Sequence, residues 1–145
     1  MNLITSWQLW AFLAAIFAAL TAIFAKVGIA DIDSDLATFV RTIVILLVLT
    51  AILIATGKLE IASVFNLSPR SLLFLVLSGM ATGASWLCYF RALKLGDASQ
   101  VAPIDKLSVV MVAIFGFLFL GEQISGISWF GVTLIGIGAV FVAMG

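Results

Sequence analysis

The sequence predicts an all-α integral membrane protein with five transmembrane helices, and three observations carry that prediction. Of its 145 residues, 64% are hydrophobic and 10% charged, where a soluble globular domain carries about a quarter charged residues. Membrane-length apolar runs recur at roughly 7–25, 36–56, 71–90, 102–120 and 128–144, and a spanning helix needs about 20 predominantly apolar residues. The connections are short, the longest being Gly57–Arg70, and none has the composition of a linker to a soluble module. Residues 1–145 are therefore expected to form one transmembrane domain whose solvent is the lipid bilayer.

Composition also excludes function classes. Seven basic residues balance seven acidic ones, so there is no polyanion signal and no nucleic-acid partner is expected. The chain has no histidine and one cysteine, Cys88. A disulfide framework and a Cys/His zinc site are both impossible within one chain. No carboxylates pair at catalytic spacing, so the chain is not read as an enzyme, and no cofactor or metal is implied.

The first segment lacks the positive n-region and small-residue cleavage context of a signal peptide, and is expected to be the first span. Trp7 and Trp10 suit an interfacial aromatic belt. Ala11, Ala15 and Ala19 repeat every four residues, as do Ala14, Ala18 and Ala22, so another helix can approach closely. Lys26 closes the segment, where a cation suits the helix dipole. The following turn holds Asp31, Asp33 and Asp35, the start of a calcium-loop pattern, but Leu36 and Thr42 stand where that loop needs Gly and Glu. It reads as a solvated turn with Ser34 or Asp35 as N-cap of the second span.

Arg41 falls about two turns into the second span, as an interfacial anchor or as a cation lining a cavity. In the connection that follows, Ile61, Val64, Phe65 and Leu67 can lie in the membrane interface. Ser68 and Pro69 read as N-cap and first residue of the third span. That span carries Gly79 and Gly83, a small-residue face for close helix contact. Trp86 and Tyr89, three apart, share a face and can form an aromatic cavity wall, an interfacial belt or plain packing. A basic turn from Arg91 to Gln100 leads into the fourth span, with Asp97 or Ser99 as its cap.

The fourth span opens with Pro103, placed in about its first turn or opening a mild kink, and then Asp105 and Lys106. Sequence neighbours on a helix point about 100° apart, so these two are expected to seek different partners or a shared polar cavity. A charge at depth in hydrocarbon costs roughly 2.5–3.5 kcal/mol on insertion scales and normally faces a cavity or a partner. Gly121 and Glu122 close the span; Glu122 is expected to help cap the fifth span or to pair with a cation. The fifth span is uncharged and carries Gly131, Gly136 and Gly138, which marks it for packing within or between subunits.

From the third span onward the sequence resembles the EamA domain of the drug/metabolite transporter superfamily. The resemblance rests on Tyr89 to Leu93, Ala98 to Pro103, Leu120-Gly121-Glu122 and the glycine-rich stretch Gly131 to Gly138. It covers the chain as a single, half-size repeat. Typical members carry ten helices as two inverted repeats with the substrate path between them, so the resemblance implies a dimer. Five spans is an odd number, and an inverted pair from one gene requires insertion in both directions. Lys26, Arg91 and Lys94 on one side against Lys58 and Arg70 on the other give little orientational bias, which permits an antiparallel homodimer.

The resemblance implies a secondary transporter or exporter of a small-molecule metabolite in a bacterial-type inner membrane. Arg41, Trp86, Tyr89, Asp105 and Lys106 are its expected path residues. Gly79, Gly83, Gly131 and Gly136 are expected at helix or dimer contacts, and Pro103, Gly121 and Glu122 carry the motif. The related small multidrug transporters place a coupling carboxylate in the first helix, which this chain lacks. The alternative is a membrane subunit that packs with another protein and transports nothing alone.

Overall fold

The computed structural model of the chain describes residues 6–60 and 66–145. Among these no strand occurs, and six helices follow one another: α1 Trp7–Gly28, α2 Ser34–Ala55, α3 Pro69–Leu95, α4 Ala98–Asp105, α5 Leu107–Phe119 and α6 Gly126–Met144. α4 and α5 together form one membrane-length stretch, which gives five helical spans long and apolar enough to cross a bilayer. Helices suit that solvent because every backbone N–H between their ends is bonded internally. The threonines obey the same constraint. The hydroxyls of Thr38, Thr42, Thr50, Thr56, Thr82 and Thr133 each donate to the carbonyl four residues earlier, at 2.8–2.9 Å. Large side chains such as Phe12, Leu46, Phe74 and Phe141 remain exposed, as a lipid-facing surface requires. The protein is an all-helical integral membrane protein.

The helix ends follow capping chemistry, with some departures from the sequence reading. Asp33, not Ser34 or Asp35, caps α2: its carboxylate accepts from the N–H of Asp35 and Leu36 at 2.9 and 3.0 Å. The helix simply begins two residues earlier than the apolar pattern suggests. Ser68 and Pro69 act as expected, with Ser68 Oγ accepting from Ser71 N–H at 3.1 Å. Ser125 caps α6 through Ser128 N–H at 3.1 Å, so Glu122 has no part in that cap. Of the proposed interfacial residues, Ile61, Val64 and Phe65 lie outside the described residues.

The basic turn contracts to two residues, Gly96 and Asp97, because α3 runs on to Leu95. α4 starts at Ala98, with Asp97 in the N-cap position but making no side-chain cap bond. Pro103 is accordingly the sixth residue of α4 rather than in its first turn. There its ring removes the N–H that an uninterrupted helix would direct at the Ser99 carbonyl. The helix then breaks at Lys106, whose N–H is shared between the carbonyls of Ala102 and Pro103 at 3.3 and 3.1 Å.

The chain divides into two compact units, residues 28–94 and residues 1–27 with 95–145. In the first, the buried side chains Ile29, Ala37, Thr38, Phe90 and Leu93 belong to the α1–α2 turn, the start of α2 and the end of α3. In the second, α6 packs against both α4 and α5. Gly136 lets Val110 Cγ2 come within 3.3 Å of where a Cβ would stand, and Phe117 meets Trp129 edge-on at 6.1 Å. Lys26 donates to the Gly96 carbonyl at 2.8 Å, joining the end of α1 to the turn before α4.

Two glycines are held in the left-handed region, Gly57 at φ 65° and Gly121 at φ 68°. At Gly57 a Schellman turn closes α2: Lys58 N–H reaches Leu53 O at 2.9 Å and Gly57 N–H reaches Ile54 O at 3.0 Å. At Gly121 the reversal lets Glu122 N–H return to Gly116 O at 3.1 Å. Gly121→Ala is expected to lower stability in detergent by about 1–2 kcal/mol, the cost of a Cβ in that conformation. Gly138→Ala, within α6 with no atom within 4 Å of its Cβ position, is expected to be neutral or mildly stabilising. Equal losses in the two thermal melts would exclude the backbone explanation.

Candidate functional site

In the unit of residues 28–94 the apolar spans carry a cation with an unusual setting. Arg41 is the eighth residue of α2, about 10 Å along the helix from its start at 1.5 Å per residue. Opposite it, α3 presents Trp86 and Phe90, four residues apart and so on one face. The Arg41 guanidinium carbon lies 4.3 Å from the Trp86 ring centroid and 5.2 Å from that of Phe90. Both distances are within cation–π range. Tyr89 is within electrostatic reach of the same guanidinium. The structure thus brings Arg41 together with Trp86 and Phe90, with Tyr89 in the electrostatic surroundings of the guanidinium. Sequence reasoning paired Trp86 with Tyr89 and overlooked Phe90, although its spacing of four from Trp86 was a signal.

Towards the ends of the same helices, Arg91 grips Asp35 with two parallel bonds, Nε to Oδ1 at 2.9 Å and a terminal nitrogen to Oδ2 at 2.5 Å. This bidentate geometry is the strong form of the pair. Both partners remain about half exposed, at 60% and 44%, so water screens the charge and the contact serves to fix geometry. One turn on, Lys94 Nζ donates to the carbonyls of Ile29, Ala30 and Ile32 at 2.7, 2.8 and 3.0 Å. Those carbonyls belong to the exit of α1 and the turn before α2, where helical partners run out. Neither arrangement was foreseen, because partners 56 to 65 residues apart leave no local pattern.

In the other unit, Lys106 Nζ donates to Asp105 Oδ2 at 3.0 Å. The expectation that these neighbours point apart fails because the helix does not continue through Lys106: α4 ends at Asp105 and α5 begins at Leu107. At that break the two side chains turn towards each other, and the pair remains partly exposed, at 53% for Lys106 and 35% for Asp105. Glu122 folds back over α5, its Oε2 standing 2.7 Å from where a Cβ on Gly116 would lie. Gly116 is thus the residue that gives Glu122 its place. Gly79, Gly83 and Gly131 have no atom of the described residues within 4 Å of their Cβ positions, so their small-residue faces are open in the single chain.

Among the described residues, this inventory is made of charges, aromatic rings and small-residue faces. It consists of one cation over aromatic rings at depth, one acid–base pair at a helix break, and open glycine faces. The family model of the EamA-like transporter family matches residues 5–144. A Sinorhizobium protein described as an uncharacterized transporter in the cobO 3′ region is 62% identical over 139 residues, covering 96% of this chain and 97% of that one. A probable magnesium transporter, NIPA9, of Arabidopsis thaliana is 30% identical over 90 residues, 54% of this chain and 26% of its own length. An uncharacterized transporter of Vibrio cholerae is 28% identical over 102 residues, 68% of this chain and 33% of its own length. No solved structure matches. With a match that runs almost from end to end, and relatives named as transporters, the chain belongs to the EamA-like transporter family as a short, half-size member.

Proposed function

We propose that the chain is a secondary transporter of a small polar or amphipathic metabolite and works as an antiparallel homodimer in a bacterial-type inner membrane. Residues 1–145 form one repeat. Arg41, Trp86, Tyr89, Asp105 and Lys106 line the path, and the glycine faces of Gly79, Gly83 and Gly131 meet the second copy. The observation that carries the reading is Arg41, a cation held over Trp86 and Phe90 within a membrane-length helix of a transporter-family chain. An ionisable residue in such a span is by default a functional group.

Chain length supports the dimer. The 102 matched residues are 33% of the Vibrio protein, which makes that relative about 300 residues long, roughly two of these chains. The Sinorhizobium relative, named a transporter, is matched over 97% of its length, so a half-size chain with that description has precedent. Transporters built from inverted repeats place their site where the repeats meet, and a second, inverted copy supplies the missing repeat. The magnesium named for the Arabidopsis relative suits this chain poorly. Mg²⁺ is held by carboxylate oxygens and water, whereas the candidate path presents Arg41 and an Asp105 already engaged by Lys106.

Reporters fused after Gly145, read in the native membrane on both faces, test the assembly. Signal from both sides is expected. Signal from one side alone leaves a parallel dimer or a separate partner chain and favours the non-transporting subunit.

A further inference from the structure

We propose that Arg41 is an oxyanion-binding residue, its ligand a carboxylate or phosphate group presented beside Trp86. The assignment rests on the transporter reading only for the ligand's role, because the binding chemistry follows from the site itself. A guanidinium has five N–H donors, all in its plane, and no acceptor. In Arg41 the guanidinium carbon lies over two aromatic rings, 4.3 Å from the Trp86 centroid and 5.2 Å from that of Phe90. Ring faces accept no in-plane N–H hydrogen bond from a fork lying over them, and no carboxylate of the same unit pairs with these donors.

The nearest acid along α2 is Asp35, six residues earlier, and both of its oxygens are taken by Arg91. Asp33, the cap of α2, spends its carboxylate on two backbone N–H groups. The other cation of this end, Lys94, is satisfied by three carbonyls. Among the described residues Arg41 alone combines a place within the span, aromatic neighbours and a charge that no carboxylate of its unit answers. A cation–π contact offsets only part of what a charge at depth costs. An oxyanion bound bidentately by the fork supplies the remaining counter-charge. The rings beside it favour a ligand that carries a flat or apolar body next to its acid group.

Two sources present this chemistry, the acid group of a soluble metabolite and the phosphate of an anionic lipid. Thermal unfolding of the full chain in nanodiscs separates them. In discs of phosphatidylcholine alone, benzoate is expected to raise the melting temperature and benzyl alcohol to leave it unchanged, which assigns the site to a soluble acid. A rise only when phosphatidylglycerol replaces phosphatidylcholine, without response to benzoate, assigns it to a lipid phosphate. Arg41→Gln is expected to weaken either effect about tenfold to hundredfold in apparent affinity, and Arg41→Lys to restore part of it. If benzoate and benzyl alcohol act alike on the unaltered chain and neither lipid matters, the proposal is overturned without any variant having to fold. The readout is binding, so an oxyanion site in a chain that moves no solute into vesicles overturns the transporter reading and leaves this one standing.

Discussion

Asp105→Asn is expected to abolish or recode transport in reconstituted vesicles while the chain still inserts and folds. The carboxylate has two roles in the structure: it answers the charge of Lys106 at 3.0 Å, and it marks the point where the fourth span breaks. Because the pair is partly exposed, losing one partner leaves a lysine whose long stem can carry its ammonium towards water. The cost to folding is then below the roughly 2.5–3.5 kcal/mol of a stranded charge at mid-membrane. The double variant Asp105→Asn with Lys106→Gln removes both charges and therefore all of that cost. If insertion and melting are normal in the double variant and flux is still lost, the pair acts on the substrate or on its coupling ion. Unchanged flux in the single variant removes Asp105 from the path.

Lys94→Met is expected to lower the stability of the unit of residues 28–94 clearly. Methionine keeps the apolar stem and deletes the ammonium that three carbonyls share. A hydrogen bond to a charged donor contributes about 1.5–3 kcal/mol, and an acceptor left without a partner costs about as much as the bond it lost. Water reaches Ala30 and Ile32, so the full sum is not expected; Ile29, 2% exposed, is the carbonyl with no easy substitute. The expected loss is about 2–3 kcal/mol, read as a lower denaturant midpoint in detergent. Lys94→Arg, which restores donors at a longer reach, is expected to recover part of it. A Met variant as stable as the parent would mean that the turn is held by Asp35–Arg91 and packing alone.

These two cases show what could be read from the residues and what could not. The five spans were legible because lipid demands long apolar runs with internally bonded backbone, and their observed ends lie within a few residues of the hydropathy pattern. The errors cluster where a helix end is decided by a partner far along the chain. α3 continues past Phe90 because Arg91 and Lys94 find Asp35 and the α1–α2 turn, 56 to 65 residues away. Arg41 and Trp86 could be named one by one from charge and aromaticity. Their meeting, with Phe90 as the second ring, depends on how α2 and α3 pack. The Asp105–Lys106 contact defeated helical geometry for a local reason: the helix is interrupted for one residue just after Pro103, where a kink was one of the two expectations, and the neighbours meet there.

That break makes the fourth span two levers on one joint. At 1.5 Å per residue the levers are about 12 Å and 20 Å long, and the joint lies where the hydrogen-bond ladder is already interrupted. Pro103 has already removed one rung just before the joint, so bending there costs fewer hydrogen bonds than bending an uninterrupted helix. The brace is α6, a helix of 19 residues that packs against both levers. Its Gly136 is the notch into which Val110 of the longer lever fits. Mechanical stiffness of the fourth span is therefore borrowed from its neighbour, and anything that loosens α6 slackens the joint.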